Sequence, residues 1–243
     1  MFAQVFGEKH LVGTGLLLTL VFIFLISIKR NANLKTQKKY LFIFTTLFLS
    51  VEFIRLILLV NRDGTLAIYQ LPLNLCSVPL YLYPALVMDR KNASIKNWLM
   101  PAAFSTVMLA GLIALLIPTN ILGVEQFWLP LENNLVEITS FIFHGLMIAA
   151  PLALIKLGYY KPKIKDIPKA LLFTGVFTSV AMIVNTFTNQ DFLLLNYGNG
   201  SPFQFLINIS KLLYQLTMIS LGAFLISLFF VVGEAIQKNS IKS

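Results

Sequence analysis

Apolar residues run along this chain in stretches of about 20, the length a helix needs to cross roughly 30 Å of hydrocarbon. The charged residues collect in the short segments between them. Transmembrane strands would give shorter segments of alternating polarity, a pattern absent from this sequence. The stretches predict an all-α membrane protein, a bundle of seven transmembrane helices at approximately 11–28, 40–60, 69–88, 97–117, 135–156, 168–189 and 204–232. All seven belong to one polytopic membrane domain covering residues 1–243, without a repeat or a soluble domain. The first helix, apolar apart from Gly13, Thr14, Gly15 and Thr19, reads as peripheral. The fourth, whose interior polar side chains are Ser105 and Thr106, reads as the most lipid-facing.

Orientation follows from the basic residues. Lys29, Arg30, Lys35, Lys38 and Lys39 separate helices one and two; Arg90, Lys91 and Lys96 separate three and four; Lys156, Lys161, Lys163, Lys165 and Lys169 separate five and six; the C-terminal tail adds Lys238 and Lys242. The alternate loops are poor in Lys and Arg. The positive-inside rule then places the N-terminus outside and the C-terminus in the cytoplasm, and requires an odd number of spans. Because the cluster at 29–39 follows the first apolar run and no small-residue cleavage pattern appears, that run reads as a retained span, not a signal peptide.

Composition agrees with this picture and narrows the chemistry. The 243 residues are 57% hydrophobic and 12% charged, with mean hydropathy +0.80. The net charge of +9 is accounted for by the basic loops, so no nucleic-acid partner is implied. One cysteine excludes an internal disulfide, and with only two histidines a zinc site of ordinary composition is not available; no metal or cofactor is expected. Membrane lipids are the expected partners. His10, ahead of the first helix, reads as solvated, and Phe127-Trp128-Leu129 as an aromatic anchor at the headgroups or a lid.

Converting sequence position into depth at about 1.5 Å per residue collects the polar side chains of the spans at one level. Cys76 falls roughly 10 Å below the outer interface, His144 roughly 13 Å, and Glu52 with Arg55 roughly 8 to 12 Å. Asn185 on helix six and Asn208 and Lys211 on helix seven share that outer half. Ionisable groups in hydrocarbon are costly unless they pair or face a wet cavity, so these helices are expected to turn them toward a common centre. Glu137, Ser140 and His144 form one stripe of helix five, Thr178, Asn185 and Asn189 another on helix six, and Asn208, Lys211 and Gln215 a third on helix seven. Glu52 and Arg55, three apart, share a face and can pair. On helix three Asn74 and Cys76 point in nearly opposite directions unless Pro79 breaks the helix there.

A thiol becomes a nucleophile when a neighbouring base or cation favours the thiolate, which makes Cys76 with His144 a candidate catalytic dyad. Lys211 or Arg55 is a candidate receptor for phosphate, and Asn185 or Asn74 a candidate oxyanion donor. The bland readings stand beside these. A lone membrane cysteine is usually a packing residue, Glu52, Arg55 and Lys211 can be a structural ion network, and Asn and Gln stripes can simply join helices.

Leu-Pro-Leu-Asn-Leu-Cys at 71–76, Phe-His-Gly at 143–145, Asn185 with Asn189, and Asn196-Tyr197 followed by Pro202 together resemble the YwaF-like bacterial membrane family. That family is related to a eukaryotic polytopic membrane acyltransferase of phospholipid remodelling. The resemblance implies acyl-transfer roles for Cys76 and His144 only, and a multi-pass protein of a bacterial plasma membrane. The family pattern has a histidine before Leu-Cys where this chain has Asn74, so no second-histidine role carries over. The expected function is a cysteine-dependent lipid acyltransferase or hydrolase with an outward-facing polar cavity. The alternative is a transporter or ligand-binding protein for a small anionic or amphipathic solute, using Glu52, Arg55, Asn74, Glu137, Asn185, Asn189, Asn208 and Lys211 as cavity lining.

Overall fold

The computed structural model describes residues 6–88, 93–118, 121–123, 125–198 and 201–242, so Arg90 and Lys91 lie outside the described residues. Seven α-helices are found among them: α1 (Glu8–Ser27), α2 (Leu34–Asp63), α3 (Pro79–Met88), α4 (Ala93–Leu116), α5 (Leu135–Lys156), α6 (Ile167–Thr188) and α7 (Lys211–Lys242). Six are long and apolar enough to cross a membrane; the apolar helical stretch Leu75–Met88 is shorter.

The helices alternate in direction between two ends. At one end, Lys9 of α1 reaches the 121–134 connection and Arg62 of α2 lies 3.7 Å from Glu137 of α5. At the other, the basic end, Lys156 donates to the carbonyl of Leu25 at 2.6 Å and Glu234 of α7 accepts the amide of Ile164 at 2.7 Å. Between α5 and α6, Tyr160 donates to Asp166 at 3.1 Å; burial and the Asp166 charge push its phenol pKa up.

Two expectations are corrected here. The fourth helix is the centre of the bundle and not its lipid-facing edge: 72% of its membrane-crossing stretch is buried, against 11% for α1. In a bilayer, apolarity does not separate inside from outside, and small residues mark the packed face. Ala102, Ala103, Ala110 and Gly111 provide that face, and Gly111 lies so close to α5 that a Cβ there would sit 2.9 Å from Met147 Cβ. The exposed first helix is peripheral, as its composition indicated.

The third helix does not begin at 69. The chain makes 3₁₀ turns at Ile68–Gln70 and Leu75–Ser77, is extended at Asn74 (φ −84°, ψ 156°), and becomes α-helical at Pro79. Pro72 lacks an amide donor and pushes Leu71 out of the helical region, while Pro79 suits a first helical turn. Similarly α7 starts at Lys211, so Asn208 lies on a preceding 3₁₀ turn (Gln204–Asn208) and not on the helix with Lys211 and Gln215.

Candidate functional site

Arg55 is the centre of a polar group that joins α2 to the segment before Pro72. One α-helical turn from it, Glu52 accepts Arg55 Nε at 2.8 Å and Nη2 at 2.7 Å, a two-pronged ion pair. Nη1 donates to Gln70 at 3.0 Å. Three of the five guanidinium N–H groups are thereby used, and the charge is held in a fixed orientation.

Cys76 sits in the short 3₁₀ turn that interrupts the third span, partly buried. The break comes from the flanking prolines and removes the opposite-face constraint that a regular helix would impose on Asn74 and Cys76. Asn74 is engaged elsewhere. Its Oδ1 accepts the amide of Leu193 at 3.2 Å and ties this segment to the α6–α7 connection.

His144 is buried on α5 in the same stripe as Glu137 and Ser140, both also buried. Its Nδ1 lies 2.7 Å from the carbonyl oxygen of Ser140. A carbonyl only accepts, so Nδ1 carries the proton and Nε2 keeps the lone pair that a general base needs. Phe143 and Phe48 stack an aromatic wall next to it, with Tyr83 beyond at 4.8 Å from Phe48. No hydrogen bond joins Cys76 to His144; what connects them is the central core, against which Cys76 packs and to which Phe143, the neighbour of His144, belongs. Glu137 Oε2 and the Tyr83 hydroxyl are buried without a hydrogen-bond partner among the described residues.

The remaining predicted residues gather elsewhere. Asn185 uses both ends of its amide on Phe192, donating to its carbonyl at 2.9 Å and accepting its N–H at 2.8 Å. Asn189 ends α6 in the left-handed conformation (φ 56°) and accepts from Tyr197. Lys211 donates to Asn196, and Gln215 to the Leu195 carbonyl at 2.8 Å. These side chains organise the 189–198 connection. Asn208 is exposed.

Two residues were missed by reading spans alone. Gln70 completes the Arg55 cage from the segment before Pro72, and Asp191 accepts the amides of Asn196 and Tyr197 at 2.7 and 2.9 Å. A polar residue just outside an apolar run is the only signal either carries in sequence. His10, expected to be solvated, is 3% exposed: it lies in α1, 2.7 Å from the Leu115 carbonyl, and accepts the amide of Phe6 at 2.9 Å. Beside it the buried Lys9 ammonium donates to Leu122 and Asn134, both at 2.6 Å, under the Trp128 ring. Trp128 in turn donates to the Lys9 carbonyl at 2.8 Å and packs on Gly13, so this aromatic segment is fastened to α1.

No curated protein and no solved structure matches the chain. A family model does, from residue 5 to residue 232, nearly the whole of a sequence whose helices are built for a bilayer: the chain belongs to the TMEM164 family.

Proposed function

We propose that this membrane protein is a cysteine-dependent acyltransferase or hydrolase acting on phospholipid acyl esters. The observation that carries the reading is the His144 tautomer, whose Nε2 is left free to act as base, on the helix whose Phe143 belongs to the core that Cys76 packs against. His144 Nε2 takes the thiol proton as the sulfur attacks the ester carbonyl carbon. The tetrahedral intermediate collapses, the C–O bond breaks, and His144 returns the proton to the departing lysolipid oxygen. An acceptor hydroxyl or water, deprotonated by His144, then attacks the thioester and releases the thiol. Arg55, with two N–H groups uncommitted, stabilises the thiolate and the oxyanion.

The resemblance to an acyltransferase-related bacterial family supports the same assignment. So does the orientation expected from the basic loops, in which Cys76 faces the outer leaflet of a plasma membrane. The test is turnover of a fluorescent phospholipid by purified protein in lipid nanodiscs, with thioester trapping by hydroxylamine. Cys76→Ala and His144→Ala are expected to abolish turnover while keeping the gel-filtration profile. Unchanged turnover in Cys76→Ala overturns the proposal.

A further inference from the structure

A cavity of about 190 Å³ lies between the end of α6 and the start of α7, roofed by the 191–198 connection. Its lining includes Met182, Ile183 and Asn185 of α6, Asn196 of the connection, and Lys211 and Gln215 of α7. This is room for several waters or a group of phosphate size.

The hydrogen bonds of the lining leave mainly donor capacity open. Asn185 spends one N–H and its oxygen on Phe192, and Asn196 donates one N–H to the Gln190 carbonyl at 2.8 Å while accepting from Lys211. Gln215 donates to Leu195, and Thr186 to Met182 within its own helix. Lys211 retains two ammonium N–H donors, and among the described residues it makes no ion pair with a carboxylate. Asp191, the carboxylate of this connection, turns Oδ1 to the backbone instead. The cavity thus offers one positive charge, the exposed Lys211 ammonium with two donors, beside the spare amide N–H groups of Asn185, Asn196 and Gln215.

The surroundings define what the anion is attached to. Ile183 is 58% exposed, and Phe187, one turn further along the same face of α6, is exposed as well. Lys211 is the first residue of its span, at headgroup level, and Met182 lies deeper. A polar mouth at the interface that continues into an apolar flank suits an amphiphile entering sideways from the bilayer more than a water-soluble solute.

We infer that this α6–α7 cavity binds the phosphate diester of a membrane phospholipid through Lys211, with an acyl chain lying along Ile183. The site is separate from the acyl chemistry assigned to Cys76 and stands without it. Detergent-purified protein is incubated with phosphatidylglycerol, oleate or inorganic phosphate and the bound species are counted by native mass spectrometry, on the wild-type chain and on Cys76→Ala in parallel. The wild type and Cys76→Ala retain one phosphatidylglycerol, and Lys211→Gln lowers its occupancy by about tenfold, the scale of one lost charge-assisted hydrogen bond. Ile183→Trp, which fills the mouth while leaving the charge, lowers it as well and serves if Lys211→Gln does not fold. Arg62→Gln, an exposed cation away from the cavity, leaves it unchanged. Retention unaffected by both Lys211→Gln and Ile183→Trp, an equal loss in Arg62→Gln, displacement by inorganic phosphate alone, or equal retention of oleate overturns the assignment.

Discussion

Gly111→Ala is the substitution whose cost is written most directly in the packing. The added Cβ would stand 2.9 Å from Met147 Cβ and 3.0 Å from the His144 carbonyl oxygen. Carbon atoms in good contact are about 3.5–4.0 Å apart, so α4 and α5 must separate by roughly 0.6 Å or more. Neither obstacle is the free end of a side chain, which makes this an overpacked core worth about 1–3 kcal/mol. For a chain of this size that lowers the melting temperature by roughly 2–12 °C. Two other glycines provide the controls. At Gly145 the obstacle is the tip of Leu17 on the peripheral α1, a flexible side chain, and the expected loss is under about 1 kcal/mol. At Gly175 nothing lies within 4 Å, so alanine is neutral or stabilises the helix by up to about 1 kcal/mol. The assay is thermal unfolding in detergent followed by dye labelling of Cys76, the chain's one thiol. Gly111→Ala melting at or above the wild type, or below neither control, refutes the central placement of α4.

Three further outcomes are expected. Asn185→Leu removes two buried hydrogen bonds to Phe192 and strands both backbone groups, costing about 2–4 kcal/mol; limited proteolysis should then cut within 189–198 in the variant before the wild type. Glu52→Gln leaves the partly buried Arg55 guanidinium uncompensated and costs about 1–3 kcal/mol, and a Glu52→Gln/Arg55→Gln cycle in urea should give less than the sum of the single losses; strict additivity would mean the pair contributes nothing. Tyr160 has a phenol pKa raised above the unfolded value of about 10, so the folded chain holds that proton longer and stability falls as pH climbs past about 10. Tyr160→Phe should flatten the decline in melting temperature between pH 9 and 11, and an identical slope in wild type and variant would count against it.

The spans were legible because bilayer thickness imposes a length on every apolar run, and that constraint survives in any sequence. Which span sits at the centre was not, because hydrocarbon and protein interior are equally apolar: Ser105 and Thr106 looked too few to matter, while the packing information lay in Ala102, Ala103 and Gly111. The Glu52–Arg55 pair was legible from its three-residue spacing. The broken third span was half legible, since Pro79 announced a break but Pro72 and the extended Asn74 move the helix start ten residues. Depth counting grouped Cys76 and His144 with Asn185 and Lys211, yet depth says nothing about azimuth, and the latter pair belongs to the α6–α7 cavity. Lys9 and His10 were unreadable because their partners are backbone carbonyls of residues more than 100 positions away.

The short third helix has a consequence for the lipid around the protein. With its preceding 3₁₀ turn, α3 rises only about 20 Å, while α2 with 30 residues and α7 with 32 rise about 45 and 48 Å. A bilayer wetting such a surface compresses where the apolar band is narrow and relaxes where it is tall. The exposed Ile68, Tyr69, Leu71 and Tyr81 mark the narrow sector, next to Cys76 in the chain. Lipid packed against that sector meets a shorter apolar wall than lipid packed against α2 or α7.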